Sequence, residues 1–218
     1  MEAPGNPGRI SDRLLLELWL TKLSDLGVSE ILVNTHYLHS QVEDFVSASR
    51  FAPMVKLVFE PKLLGTAPTI WENRDFIGDE TTLVIHADNY SEDSLRDLLT
   101  AHSSRLSQCL ISMLALRTEY PQTCGILDVD QNGVMIKFIE KPKQSNSNLA
   151  NAAIYCISPE FVDTLEGRHD LSIKVLPNLI NQVLVCETKD VRIDIGSLAA
   201  YQLATIAYAK TLPGDFGG

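Results

Sequence analysis

The 218-residue chain carries 18 basic and 28 acidic side chains, a formal charge of −10, with 45% hydrophobic and 21% charged residues. That composition excludes a disordered or fibrous chain, and the length allows a sizeable core without disulfides or a structural metal. The acidic balance argues against binding a nucleic-acid backbone, which takes a basic face, yet leaves room for a phosphate held by carboxylates through a divalent cation.

Ser11 or Asp12 caps a predicted helix over about Arg13 to Leu26, with Leu16, Trp19, Leu20 and Leu23 on one face and Gly27 as its stop. Ile31-Leu32-Val33 reads as a short buried strand, and Leu38, Val42, Phe45 and Val46 recur at helical spacing. Val55 to Phe59 is the next strand. A helix opening near Thr66 or Ala67, a strand over Thr82 to His86 and a helix from Glu92 to about His102 follow. Continuous apolar strands separated by helices imply a parallel sheet covered on both faces.

After Gln108 the rhythm changes, with strands at Cys109 to Leu116, Gly125 to Val129 and Val134 to Ile139. The last two flank Asp130-Gln131-Asn132-Gly133, whose Asn-Gly is a hairpin signal. Ala152 to Ile157 reads as a strand, and Ser158-Pro159-Glu160 as a helix start with Pro at its first position. Strands near Val183 to Cys186 and Val191 to Ile193 precede a final helix from Leu198 to about Ala209, and Pro213 to Gly218 reads as a frayed tail. The class expected is α/β, with a mixed-sheet lobe in the second half.

No run reaches the ~18 apolar residues of a membrane span, since even Leu14-Leu15-Leu16 ends at Glu17. Met1 to Gly8 lacks a cationic-then-apolar signal. Cys109, Cys124, Cys156 and Cys186 are far apart with no Cys-x-x-Cys, so reduced thiols in a cytoplasmic protein are expected.

In an open α/β sheet, ligands collect at the carboxyl ends of strands. Leu64-Gly65-Thr66-Ala67 follows the strand ending at Glu60 and opens a helix; its amides suit a planar base or an anion, or serve only as a loop and cap. Asp88, in His86-Ala87-Asp88-Asn89, is a magnesium ligand or a cap for the next turn. Asp194, in Asp194-Ile195-Gly196, offers a second carboxylate from another strand end. In Glu140-Lys141-Pro142, Lys141 holds a phosphate and Glu140 accepts sugar hydroxyls, or the pair is an exposed strand end. Asn151 fixes a polyhydroxyl ligand or is an ordinary turn residue. His36 and His39 lack Cys or acidic partners for a metal set, and neither a Gly-x-Ser-x-Gly elbow nor a Walker loop is present.

Taken in order, Leu64-Gly65-Thr66-Ala67, Asp88-Asn89, Cys124-Gly125-Ile126, Asp130 to Gly133, Glu140-Lys141-Pro142, Asn151-Ala152-Ala153-Ile154-Tyr155 and Asp194-Ile195-Gly196 resemble the sugar-1-phosphate nucleotidylyltransferase (nucleotide-sugar pyrophosphorylase) family. The stretch from Leu15, Glu17 and Trp19 through Val33-Asn34-Thr35-His36-Tyr37-Leu38 is most similar to its mannose-1-phosphate guanylyltransferase-like branch. The resemblance runs from about Leu14 to Tyr201. It implies a Rossmann-like mixed, mainly parallel sheet with helices on both faces and a small β-rich sugar-binding lobe. It also implies a single domain over 1–218, with a nucleotide-binding half (1–110), a sugar-phosphate-binding half (111–210) and a tail (211–218).

Residue by residue, the resemblance implies that Leu64, Gly65, Thr66 and Ala67 contact base and ribose, and that Asp88 and Asp194 hold Mg2+. The Gly125 amide would meet the sugar, Glu140 and Asn151 its hydroxyls, and Lys141 its phosphate. The implied reaction is in-line attack by a sugar-1-phosphate oxygen on the α-phosphate of a nucleoside triphosphate, releasing pyrophosphate. Such chemistry relies on positioning and charge neutralisation.

One departure bears on activity. The family opens with a strand and a glycine-rich loop bearing an Arg, then a Pro-Lys pair, whereas here Met1 to Asp12 leads into the helix that follows that region. Gly5-Asn6-Pro7-Gly8-Arg9 has a glycine spacing and an Arg but no preceding apolar strand. Losing a transition-state Arg costs on the order of 10³–10⁵ in rate, or about 4–7 kcal/mol. The expectation is weak or no turnover from this chain alone, with no catalytic residue beyond Lys141 as a phosphate ligand. A non-catalytic nucleotide- or sugar-phosphate-binding module or regulatory subunit is the alternative, and a truncated gene product the third reading. Without that strand, central in the family sheet, two strand edges would lack partners. A rearrangement, another segment or a second copy in a homo-oligomer would cover them.

Overall fold

The computed structural model describes residues 9–10, 13–168 and 170–211; the expectations for Gly5 to Gly8 and for Pro213 to Gly218 fall outside them. Strands β1 (Arg9–Ile10) and β2 (Arg13–Leu14) pair antiparallel ahead of α1 (Leu15–Leu26). In α1, Leu15, Trp19, Leu20 and Leu23 are buried at helical spacing. Gly27 ends it at φ +93°, a left-handed conformation that a Cβ makes costly. Next, β3 (Ile31–Thr35), α2 (His39–Ala48) and β4 (Val55–Phe59) form a crossover unit in which β3 and β4 run parallel. Of the apolar positions expected to line α2, only Val46 is fully buried.

The chain continues through α3 (Thr66–Glu72), α4 (Arg74–Ile77), β5 (Thr82–Ile85), β6 (Asn89–Ser91) and α5 (Leu95–Ser103). Strands β7 (Ile111–Arg117), β8 (Gly125–Val129), β9 (Met135–Glu140) and β10 (Leu149–Ile157) follow. The β8–β9 turn is tightened by Asp130, whose Oδ1 accepts from the amides of Asn132 (2.9 Å) and Val134 (2.8 Å), with Gly133 at φ +75°. Then come α6 (Pro159–Val162), β11 (Val183–Thr188), β12 (Arg192–Asp194) and α7 (Leu198–Thr211).

The described residues form two compact units. One gathers those up to Val28, His86–Ser94 and those from Asp190 on; the other is Ser29–Ile85 with Leu95–Lys189. In the first, β6 pairs antiparallel with β12. In the second, a mixed sheet runs β11-β7-β10-β8-β9, with β5 also on β10. Strands β7 and β11 are parallel, while β10 runs against β5, β7 and β8. Antiparallel neighbours are therefore more numerous than the alternation of strand and helix implied, because β10 turns back between elements that share one direction. The core of this unit packs Ala67 and Ile70 of α3 against Met113, Leu127, Met135 and Tyr155 of the sheet, with Phe161 beside them.

Among the described residues β3 has one ladder partner, β4, and β5 has one, β10. Each presents an edge without a partner, and Thr82, Leu83, Val84 and Ile85 are all only half-buried. The four cysteines are free thiols: Cys109 and Cys156 are buried, Cys124 and Cys186 half-buried. No described helix is long and apolar enough to cross a membrane.

His102 is the buried titratable group of α5. Its Nδ1 shares a 2.9 Å hydrogen bond with Ser112 Oγ, and its Nε2 has no protein hydrogen-bond partner among the described residues. Burial, and secondarily the nearby Arg105 guanidinium, lowers its pKa to about 4. The folded state therefore keeps the ring neutral while the unfolded chain takes up a proton near pH 6.5, so stability is complete above that pH and is lost as pH falls toward 4. Urea unfolding at pH 7 and pH 5 should show a loss of about 2 kcal/mol from this residue. His102→Asn should remove that increment; an unchanged pH dependence in the variant would contradict the assignment.

Candidate functional site

In the second unit, the ladder places several sequence-derived candidates side by side. Gly125 of β8 stands opposite Glu140 of β9, and Ala150 of β10 opposite Ile126 of β8. Asn151 therefore enters the same level of the sheet as Gly125 and Glu140, and the Lys141 amide extends the ladder by donating to the Cys124 carbonyl at 3.0 Å. A Cβ at position 125 would lie 2.5 Å from Phe138 Cζ and 2.7 Å from Glu140 Oε2. A side chain at 125 would therefore crowd the Phe138 ring and the Glu140 carboxylate, one of which would have to shift. Oε2 of Glu140 is buried without a hydrogen-bond partner among the described residues. Burial raises the Glu140 pKa above the usual carboxylate range, partly offset by Lys141 and reinforced by Asp170. A buried acceptor left unsatisfied is costly, about 1–3 kcal/mol; a donor from a ligand would remove that cost.

Two of the non-glycine residues at positive φ among those described belong to this patch: Lys141 at +46° and Ala153 at +48°. For residues with a Cβ the left-handed region costs about 1–2 kcal/mol, and such outliers persist where the surroundings over-determine them. Lys141 is exposed, beyond the end of β9. Asn151 is half-buried; its Oδ1 accepts from the Ala153 amide at 2.8 Å and its Nδ2 donates to Tyr155 Oη at 2.7 Å.

The Leu64-Gly65-Thr66-Ala67 segment is organised by a residue that sequence reasoning missed. Glu60 is buried, and its carboxylate accepts from the Leu64 amide at 3.3 Å and from the Thr69 hydroxyl. Its main chain is pinned too, the amide donating to Thr35 O at 2.8 Å and the carbonyl held 2.7 Å from His36 Nδ1. Gly65 takes φ +93° and opens α3, Leu64 and Gly65 are exposed, and Ala67 is fully buried. A charged residue ending an apolar strand four positions before the segment was the available signal.

In the first unit, Asp88 and Asp194 sit on adjacent rungs. Asp194 stands opposite Asn89, and the Ile195 amide donates to the Asp88 carbonyl at 3.1 Å. Buried Asn89 joins this arrangement: its Nδ2 donates to Asp88 Oδ1 at 2.9 Å, and its carbonyl accepts from Trp19 Nε1 at 2.8 Å. Both carboxylates are exposed, and a Cβ at Gly196 would come within 3.3 Å of Asp194 Oδ1. No group of three or more His, Cys, Asp or Glu is arranged for a metal among the described residues. Two neighbouring carboxylates nevertheless suit a hard cation that completes its shell with water and phosphate. The structure thus brings together Gly125, Glu140, Lys141 and Asn151 in one unit, and Asp88 with Asp194 in the other.

The family model described as nucleotidyl transferase matches residues 10–211. A Sulfolobus acidocaldarius protein provisionally named a mannose-1-phosphate guanyltransferase is 29% identical over 205 residues, covering 90% of this chain and 56% of its own length. The mannose-1-phosphate guanylyltransferase regulatory subunit alpha of Dictyostelium discoideum is 29% identical over 154 residues, 68% of this chain and 37% of its own. The chain thus spans little more than half of the first relative and little more than a third of the second. Among solved structures, HddC from Yersinia pseudotuberculosis complexed with GMP-PN superposes with a TM-score of 0.76 at 22% identity, covering 95% of this chain and 91% of that one. At that identity the likeness speaks for the mixed α/β fold.

Gly125→Ala should destabilise the protein by about 1–3 kcal/mol through overpacking, read as a lower urea midpoint; an unchanged midpoint would mean that Phe138 and Glu140 have room to spare. Glu60→Ala should cost about 1–3 kcal/mol by leaving the Leu64 amide without its acceptor, with Glu60→Gln losing less. Equal losses in the two variants would contradict the assignment.

Proposed function

Because the chain belongs to the nucleotidyl transferase family, we propose that it binds a nucleoside triphosphate and a sugar 1-phosphate and transfers a nucleoside monophosphate between them, releasing pyrophosphate. The observation that carries this is the Glu140 carboxylate. A buried oxygen without a hydrogen-bond partner among the described residues, beside a glycine whose Cβ would crowd it, level with Asn151 and next to Lys141, suits a ligand with hydroxyl donors and a phosphate. Guanine and mannose are favoured by the names of the relatives.

In this proposal Glu140 accepts a sugar hydroxyl, the Gly125 main chain lets the ring approach closely, and Asn151 supplies one further donor and one acceptor. Lys141 supplies a point charge for the sugar phosphate. The Leu64 to Ala67 main chain, braced by Glu60, offers a platform for base and ribose. Asp88 and Asp194 would hold Mg2+, which when bound neutralises phosphate charge during in-line displacement. Holding the attacking oxygen and the α-phosphate in line, and neutralising the phosphate charge, are what such a reaction takes from a protein. Because β3 and β5 each keep one edge without a ladder partner among the described residues, a second copy of the chain is their proposed cover; a strict monomer in sedimentation would remove that part.

The test is pyrophosphate release with Mg2+, a panel of nucleoside triphosphates and mannose 1-phosphate. Asp88→Ala should abolish turnover. Glu140→Ala should raise KM for the sugar phosphate roughly 10- to 100-fold, the equivalent of a lost charged hydrogen bond, and leave KM for the nucleotide within about twofold. Protection of the fold by mannose 1-phosphate or GTP without pyrophosphate release would make the chain a binding module. Neither turnover nor protection would sink the proposal.

A further inference from the structure

The sugar-phosphate patch depends on a carboxamide whose orientation is set inside the protein. Asparagine has two N–H donors and two acceptor lone pairs. The Ala153 amide can only donate, so its 2.8 Å bond fixes Asn151 Oδ1 on that side. Nδ2 is thereby turned toward Tyr155, whose hydroxyl oxygen accepts it at 2.7 Å. One N–H and one lone pair of Asn151 remain for a ligand, in a direction that these two bonds determine.

The same two bonds span an irregularity in the strand. Between Asn151 and Tyr155, β10 advances four residues while its β7 partners advance only from Ala115 to Met113. Ala153 lies inside this bulge at φ +48°. Bulges re-aim side chains, and here the residue before the bulge is tied to the residue after it. Tyr155 is fully buried in the core and so does not itself reach a ligand.

We infer that Tyr155 is a positioning residue of the sugar-phosphate site: its hydroxyl clasps the β10 bulge and aims the Asn151 carboxamide at the ligand. The inference rests on the proposal that Asn151 meets the sugar, and it deepens that proposal by naming what holds Asn151 in place. Tyr155→Phe keeps the buried ring and removes the hydroxyl, and with it the acceptor that Asn151 Nδ2 uses. Without it the amide is held from one side and its ligand-facing N–H is free to swing.

Two measurements on the full chain test this, one without ligand. In 15N spectra of the free protein, one Asn151 side-chain N–H should exchange slowly with solvent, and in Tyr155→Phe that protection should be lost and both resonances should shift. Resonances and exchange unchanged in the variant would overturn the clasp outright. In calorimetry with Mg2+ present, Tyr155→Phe should weaken mannose 1-phosphate binding about tenfold and leave GTP binding within twofold, with no further weakening when added to Asn151→Ala. A variant that loses thermal stability yet binds mannose 1-phosphate as the unmodified chain does would make Tyr155 structural only and overturn the inference. A wild-type chain that binds no mannose 1-phosphate would defeat the proposed function, and the ligand-free spectra would then decide the clasp by themselves.

Discussion

Strand β10 has to serve three neighbours, and a regular strand could not do so in the way seen here. One edge pairs with β7 before and after an interruption, while the other takes β8 at Ala150 and β5 from Ile154 to Ile157. The break in register between Asn151 and Tyr155 separates the two regimes. Before it the chain belongs with the β8–β9 hairpin; after it the chain enters the buried core, where Ile154, Tyr155, Cys156 and Ile157 are fully enclosed. The residue at the break, Asn151, is left half-buried between β7 and β8, with a carboxamide whose polar groups need partners. Its bonds to Ala153 and Tyr155 do that, and they support a left-handed alanine that would otherwise cost about 1–2 kcal/mol.

The neighbouring strands inherit this placement. Gly125 and Glu140 are level with the break because β8 registers on β10 through Ala150 and Ile126. Glycine at 125 leaves the Glu140 carboxylate close to the main chain, and its buried Oε2 has no hydrogen-bond partner among the described residues. Strained backbone at Lys141 and Ala153 brackets the same spot. Such features cost stability, so they are most readily understood as preorganisation for a ligand with hydroxyl and phosphate groups. The carboxylates of the first unit follow the same logic in a plainer form, since Asn89 links the Asp88 side chain to the rung that carries Asp194.

Much of this was legible in the sequence because it was written in local patterns. The apolar runs at Val55–Phe59 and Gly125–Val129 coincide with β4 and β8, and the Asn-Gly turn joins β8 to β9 through hydrogen bonds that Asp130 alone supplies. What escaped was non-local or irregular. Strand β6, Asn89–Ser91, is three residues long and polar at both ends, and its partner β12 begins about a hundred residues later. The predicted helix from Glu92 accordingly starts later, at Leu95. Helix α2 has apolar spacing but buries only Val46, because periodicity reports a face and not whether anything covers it. Glu60 and Tyr155 matter through contacts set by a loop and a bulge, and neither leaves a period to read. The candidate site was legible as an ordered set of short motifs; the physical reasons that those residues cooperate were not.

The central claim is that the Glu140 oxygen left unsatisfied in the folded chain is completed by a sugar hydroxyl. A crystal structure of the protein soaked with mannose 1-phosphate and Mg2+ addresses it most directly. The sugar should lie against Gly125 with a hydroxyl within hydrogen-bonding distance of Glu140 Oε2 and its phosphate beside Lys141. Density for the sugar phosphate elsewhere, with a protein group or an ordered water filling the Glu140 position, would contradict it.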